Sequence, residues 1–517
     1  MGGEKMGKGK TSDSPGASSS RRDFLKKSLV AAAASVPVSA SGAAVQGAGS
    51  ESQAPARSKP PNVVVIIADQ FRGDFIGANG CNPMGVTPNL DAMAERGVTM
   101  QNAVTNQPLC SPSRACLFTG RYATETGMWK LPPGVELNRD LPTLATVLRS
   151  HGYTANYIGK WHLAPINRAT QKGLGFVAPQ DRGGFLDLWQ ASNVIELTSH
   201  PYEGTIWDGD GKPMHYKDVY RVDYLTDLAV RFLKQRHEKP FLLVLSQLEP
   251  HFQNDANAFV PPKGYIERYQ NPFAPKDLRF FPGDWQEQLP GYYGDIKRID
   301  ESVGTVMKTL AEENLEDNTI VLFISDHGCH FRTRNTEYKR SPHESSIHIP
   351  LIMQGPGLNQ SRKVSEVVSM VDVTPSLLDA AGVPVPTSMK GRSFVPLINQ
   401  PKGRANWRNE AFVQISASMV ARALRTDQWT YCVVDPNGNG NRDSHSMHYQ
   451  EYQMYNLAAD PHQLLNLAGR HDQPHLVHYE GDRQLPEIAA HLRERLIARM
   501  VEAGEEAPQI APARFYP

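Results

Sequence analysis

The patterned part of the chain opens with Asn62-Val63-Val64-Val65-Ile66-Ile67-Ala68, apolar after its first residue. A strand exposed on one face would alternate, so this unbroken run fits a strand covered on both faces. Asp69 and Gln70 follow it directly. Similar runs at 241–245 and 319–324 predict two more such strands, with a fourth around 349–353. Helical signals lie between them. Thr87-Pro88 with Gly97 supply an N-cap, a proline at the first helical position and a terminating glycine. Residues 142–151, ended by Gly152, repeat that arrangement. Val222, Leu225, Leu228, Ala229 and Phe232 predict a helix over 222–236, and another is expected over 292–310. Strands alternating with helices predict an α/β fold with a large, mostly parallel sheet flanked by helices. Such sheets bind ligands beyond the carboxyl ends of their strands, where Asp69 and Asp326 fall.

The pattern changes after about residue 400. Strand-like pieces at 411–416, 421–424 and 429–434 are broken by turn residues, and a helix is predicted over 485–503. The expected division is a catalytic domain over 61–400 and a smaller C-terminal α+β subdomain over 401–517. There are no internal repeats.

The first residues read as an address. Ser20-Arg21-Arg22-Asp23-Phe24-Leu25-Lys26 precede an apolar stretch over 29–38, then small residues at Ser39, Ala40, Ser41 and Ala43. This is the order of a cleaved signal, and the paired arginines resemble the bacterial twin-arginine export signal. The expectation is a signal peptide over 1–44 and a Pro/Ala/Ser linker over 45–60. The twin-arginine translocase is then a partner, and the location is periplasmic or extracellular in a bacterium. No long apolar run follows the leader, so no transmembrane anchor is expected in the mature form.

Charge narrows the function. Lys and Arg total 54, as do Asp and Glu. Zero net charge argues against a nucleic-acid or anionic-membrane binder and leaves room for a local cationic pocket. Five cysteines, Cys81, Cys110, Cys116, Cys329 and Cys432, are an odd number without metal-binding or disulfide-framework spacing. Cys110 stands in Cys110-Ser111-Pro112-Ser113-Arg114, ahead of Thr119-Gly120. Alone it reads either as an acidic thiol beside a cation or as a buried structural cysteine.

The whole string, Cys-x-Pro-Ser-Arg-x-x-x-x-Thr-Gly, resembles the signature of type I, formylglycine-dependent sulfatases of the alkaline phosphatase superfamily. The resemblance covers about 60–395. Tyr455-Asn456-Leu457, Asp460-Pro461 and Asn466-Leu467 resemble the family's closing run. It implies an alkaline-phosphatase-like main domain and a short antiparallel sheet in the tail. It also implies that Cys110 is oxidised to formylglycine by a formylglycine-generating or sulfatase-maturating enzyme. A hydrated formylglycine offers one hydroxyl to attack sulfur and a second to expel the sulfate afterwards, a self-releasing form of covalent catalysis.

Further site residues come with the resemblance. Asp69, Gln70, Asp326 and His327 are the implied metal ligands, with Cys110 facing the same ion. Many members carry Asp and Asn where this chain has Gln70 and His327. Oxygen-rich ligands favour a hard cation. Calcium is implied first, with magnesium or manganese as alternatives, and the imidazole leaves zinc open. Gly159-Lys160-Trp161-His162 resembles a family motif in which Lys160 neutralises sulfate and His162 exchanges a proton with the formylglycine. His251 matches the histidine at the leaving oxygen. Lys339 matches a sulfate-binding lysine, although Arg340 adjoins it. Arg114 completes the implied catalytic set as part of an anion clamp.

The expected reaction is hydrolysis of sulfate monoesters, with a sulfated glycan or oligosaccharide as substrate. His330, Arg332 and Arg334 are candidates for a second anionic group of such a sugar or for solvated loop positions. Asp187, Trp189, Asn193, His200, Tyr202 and Trp207 fit sugar binding or an ordinary ordered insertion. A phosphodiester or phosphonate-monoester hydrolase of the same superfamily is the nearest alternative. A non-catalytic glycan-binding protein is another, against which the full set of catalytic residue types argues.

Overall fold

The computed structural model describes residues 59–167, 169–399, 401–468, 484–513 and 516. The expected signal peptide and, apart from Lys59 and Pro60, the linker lie outside the described residues.

Among the described residues, eleven strands form the main sheet. In chain order they are β1 Asn62–Ala68, β2 Val98–Val104, β3 Thr154–Lys160, β4 Trp189–Ser192, β5 Glu203–Asp208, β6 Pro213–Lys217, β7 Phe241–Ser246, β8 Thr319–Ser325, β9 His348–Ile349, β10 Leu351–Gln354 and β11 Arg362–Ser369. Their order across the sheet is β11-β2-β10-β8-β1-β7-β3-β4-β5-β6, with β9 also on β2. The block β8-β1-β7-β3-β4 is parallel, whereas β10 runs antiparallel to both its neighbours. The expected α/β class and the mostly parallel sheet are what the chain forms.

The apolar run of β1 is buried throughout. Val63, Val65 and Ile67 join one core, and Val64, Ile66 and Ala68 join the other. Both faces therefore need apolar side chains, each contributing about 1.5–3 kcal/mol when fully buried. Helices Pro88–Arg96, Arg221–Leu233 and Trp285–Glu312 supply residues to one core. Helices Cys110–Thr119, Leu144–Ser150 and Val373–Ala381 supply the other.

The strand expected around 349–353 is interrupted. Pro350 separates β9 from β10, because proline has no N–H to give to a ladder. The register brings several strand ends level. Ala68 of β1 lies beside Ser325 of β8, while Ile67 of β1 and Gly159 of β3 both face Ser246 of β7. The residues that follow these positions emerge along one edge of the sheet.

The C-terminal strands are β12 Glu410–Ile415, β13 Val420–Thr426, β14 Trp429–Asp435, β15 His448–Asn456 and β16 Gln509–Ala511. They form a second, smaller sheet, antiparallel up to β15 and parallel at β16. The helix Leu485–Glu502 packs its buried leucines into the core shared with β13 and β14. Among the described residues no helix is long and apolar enough to cross a membrane.

Candidate active site

Asp69 leaves β1 and Asp326 leaves β8, so the parallel register delivers two carboxylates side by side. Gln70 then turns into the left-handed region with φ of 69°. A side chain bearing a Cβ adopts this conformation only where surrounding contacts hold it. Three such contacts are present. The Gln70 amide donates to Asp326 Oδ1 at 3.2 Å, Tyr292 donates to the Gln70 carbonyl at 2.8 Å, and Gln70 Nε2 donates to Cys329 Sγ at 3.3 Å.

Cys110 is the first residue of a helix whose ten residues are all buried. Ser113 anchors that helix: its hydroxyl pairs with Thr105 Oγ1 at 3.0 Å and with the Asp326 carbonyl at 2.6 Å. Cys110 Sγ consequently lies 3.6 Å from Asp69 Oδ1, 3.3 Å from His327 Nε2 and 3.0 Å from Lys339 Nζ. His327 Nδ1 lies 3.0 Å from the Gly328 carbonyl. A proton on Nδ1 satisfies that carbonyl and leaves the Nε2 lone pair facing the carboxylates.

Arg114 lies wholly within the protein, one turn along the same helix. Its Nε donates to Asp326 Oδ2 at 3.1 Å and its Nη2 to Asp69 Oδ2 at 3.2 Å. Nη1 donates to the Lys160 carbonyl at 3.0 Å and to Ser246 Oγ at 2.7 Å. This guanidinium joins the ends of β1, β3, β7 and β8. Four of its five N–H donors are committed to the protein, and it sits behind the two carboxylates.

Lys160 reaches Asp69 Oδ2 at 2.8 Å and Glu196 Oε1 at 3.3 Å. His162, with φ of 63°, follows two residues later, and its Nδ1 lies 3.7 Å from the same Glu196 oxygen. His251 Nδ1 lies 2.7 Å from the Phe252 carbonyl, and its Nε2 lies 2.9 Å from Lys339 Nζ. Lys339 therefore touches Cys110, His251 and His327 together, whereas Arg340 turns to Glu337 at 3.7 Å.

This field moves the acidities. Burial works against ionisation of Cys110, but Lys160 and Lys339 chiefly outweigh it and hold its thiol well below the usual range. Burial pushes Cys116 and Cys432 up instead, and Cys329 to about 12, because no comparable set of cations surrounds them. Burial and the nearby Cys110 charge raise Asp69, yet Lys160, His251 and Lys339 bring it below its ordinary value. Burial and the Asp69 charge raise Asp326.

Two buried carboxylates that repel each other, an imidazole lone pair and a sulfur suit a divalent cation. Ligand atoms of Asp69, Cys110, Asp326 and His327 lie within 4.8 Å of one another. The Gln70 amide adjoins this group through its backbone contact with Asp326.

The geometry meets its counterpart among known proteins. The sulfatase family profile matches residues 61–383, more than half of the chain. The chain belongs to the sulfatase family. It is a sulfuric ester hydrolase, and the family implies a metal ion and a formylglycine. The profile described as N-sulphoglucosamine sulphohydrolase, C-terminal, matches 336–491. An ulvan-active sulfatase of Formosa agariphila is 30% identical over 434 residues, covering 79% of this chain and 77% of its own. A solved structure from work on glycosaminoglycan metabolism by Bacteroides thetaiotaomicron superposes with a TM-score of 0.72. It is 21% identical and covers 86% of this chain and 97% of its own. Another, solved with its substrate D-glucosamine-2-N,6-O-disulfate, gives a TM-score of 0.68 at 22% identity, covering 86% and 98%.

The structure gathers Asp69, Cys110, Arg114, Lys160, His162, His251, Asp326, His327 and Lys339 of this sulfatase into one connected cluster. Other singled-out residues lie elsewhere. His330 is buried, with Nε2 on the Lys339 carbonyl at 3.0 Å. Arg334 donates to the carbonyls of Gln463 and His462, and Arg332 lies over the rings of Phe252 and Tyr338. Trp189 packs on Tyr157 in the core, and His200 pairs with Asp255 at 2.5 Å. Glu196 escapes sequence reasoning: it stands in a four-residue helix, Ile195–Thr198, with no motif around it.

Proposed function

We propose that this sulfatase removes sulfate from sulfated glycans or their oligosaccharides outside the cytoplasm of a bacterium. In this reading Cys110 is converted to formylglycine by a maturating enzyme, and the folded chain leaves through the twin-arginine translocase. Asp69, Gln70, Asp326 and His327 would hold calcium. The observation that carries the reading is the placement of Cys110 Sγ against Lys339, His327 and Asp69 at once. The glycan assignment is supported by the ulvan-active relative and by the similar fold solved with a sulfated glucosamine.

When bound, the cation supplies Lewis acidity toward a sulfate oxygen and toward the hydroxyl at position 110, effects worth several kcal/mol. The chain's own residues do the rest. Lys160 and Lys339 set positive charge at residue 110 and offset the charge of the sulfate. His162 takes the proton from residue 110 when sulfate departs. His251 accepts from the Lys339 ammonium at Nε2, and through this pair a proton reaches the leaving oxygen. Arg114 fixes the direction of both carboxylates and does not touch the substrate.

Mass spectrometry of the peptide bearing Cys110, from a host with the maturating enzyme, tests the reading. The expected mass is that of an aldehyde or its hydrate, and an unmodified thiol overturns it. Sulfate release from a panel of sulfated sugars tests the substrate class. Turnover of aryl and alkyl sulfates with no sulfated sugar cleaved would sink that assignment. Faster turnover of aryl phosphonate than of aryl sulfate would favour the phosphonate chemistry instead.

A further inference from the structure

Glu196 is an unexpected guest in a pocket built for an anion. Its side chain is 13% exposed and lies against Lys160 and His162. Burying a carboxylate beside a sulfate site opposes binding unless the charge acts on a neighbour. Two atoms point to that neighbour. His162 Nδ1 and Glu196 Oε2 are both buried and both lack a hydrogen-bond partner. They belong to one side-chain pair, since Glu196 Oε1 already lies 3.7 Å from His162 Nδ1.

The backbone keeps the pair in register. Trp161 N donates to the Ser192 carbonyl at 3.0 Å, and His162 N to the Asn193 carbonyl at 2.7 Å. The β3–β4 pairing thus continues beyond the strands as far as His162. The Asn193 side chain then ties back to Ala164 in both directions, accepting from its amide and donating to its carbonyl. Glu196 follows three residues after Asn193, and Ser192 Oγ on Thr198 Oγ1 at 2.7 Å holds its short helix. Both members of the pair hang from one clamp.

We infer that Glu196 is the positioning residue of His162: it holds the proton on Nδ1 and so leaves the Nε2 lone pair for residue 110. This rests on the reading of His162 as the proton acceptor in the sulfatase reaction. Glu196 lies at His162 Nδ1, which leaves Nε2 as the ring nitrogen for residue 110. The proton passes from the oxygen on residue 110 to Nε2, while the Nδ1 proton stays on the imidazole and gains a carboxylate partner. Glu196 remains ionised throughout. Lys160 meets the same Glu196 oxygen and bridges it to Asp69, so the carboxylate is balanced by a cation before substrate arrives. Cys110, His251 and Lys160 are the other titratable groups that feel Glu196.

Nitrogen-15 NMR of histidine-labelled Cys110→Ser protein tests this without reference to turnover, because a neutral hydroxyl at position 110 does not compete as an anion for the His162 proton. The His162 signals are assigned by their loss in His162→Asn. With Glu196 in place, His162 is expected to carry its proton on Nδ1. Glu196→Gln, whose amide can donate to Nδ1, is expected to move the proton to Nε2. In mature enzyme the same variant should lose kcat by about 10²–10⁴-fold with KM changed little, the size of a lost general acid or base. Glu196→Asp should recover part of that loss. A His162 protonated on Nε2 with Glu196 in place, or a Glu196→Gln variant with an unchanged tautomer, overturns the inference. The expected tautomer together with no sulfatase activity in protein whose Cys110 has been converted to formylglycine would instead overturn the functional reading.

Discussion

Replacing Arg114 by methionine removes a charge shared by two buried carboxylates. The variant loses the donors to Asp69, Asp326, the Lys160 carbonyl and Ser246 in one step. Methionine fills similar volume, so the loss is chiefly electrostatic. Breaking a buried ion pair by deleting one partner costs about 3–5 kcal/mol, because the remaining charge stays desolvated. Unfolding entropy is about 2.1 cal/mol/K per residue, which gives roughly 1 kcal/mol/K for a body of this size. The midpoint of thermal unfolding should therefore fall by about 3–5 °C in chelator. Calorimetry with and without calcium is the assay. A dication at Asp69 and Asp326 neutralises the same two charges, so the deficit should shrink as calcium is added. An Arg114→Met midpoint within 1 °C of wild type in chelator (about 1 kcal/mol) refutes the charge argument. A calcium-independent deficit refutes the metal assignment.

Three other outcomes follow from the same geometry. Lys339→Met removes the ammonium from Cys110, His251 and His327 together, and kcat/KM for an aryl sulfate should drop about 10²–10³-fold, as for loss of an oxyanion donor. In protein made without the maturating enzyme, iodoacetamide near neutral pH should label Cys110 ahead of Cys116, Cys329 and Cys432, read by peptide mass spectrometry. Labelling of Cys116 as fast as Cys110 in folded protein would contradict the cationic field. Burial lowers His330 to about 3, so the unfolded chain binds its proton first, and stability is lost as pH falls from the ordinary histidine value toward 3. His330→Gln keeps a donor for the Lys339 carbonyl and should flatten the pH dependence of the urea midpoint over that range, while an unchanged slope would show that His330 does not set it.

How much of this was legible depends on what each segment buries. β1, β7 and β8 lie between two cores, and their unbroken apolar runs announce them. β3 is equally interior yet carries Asn156, whose side chain donates to the Leu242 carbonyl and accepts from the Leu188 amide. A satisfied buried amide looks like a loop residue in a sequence. The helix Cys110–Thr119 has no polar face to create a period, since every residue in it is buried. Its motif was readable where its secondary structure was not. The candidate site residues stood out because they occur as short strings after strand ends, and the parallel register brings those ends together. Arg114 was recognised as a site residue, but its direction, behind the carboxylates, needed coordinates. Glu196 left no string at all, because its place depends on the clamp between two loops.

The burial of Cys110 has a consequence in time. Only 2% of the residue is exposed, and the helix it starts is enclosed throughout. An enzyme that must grip this segment can do so only while the chain is open. On the proposed maturation of Cys110, each molecule faces a single race between oxidation at position 110 and closure of the core. The active fraction of a preparation is fixed by the ratio of those two rates, and it does not rise once folding is over. Conditions that slow closure should increase that fraction more than a longer incubation of the finished protein with the maturating enzyme.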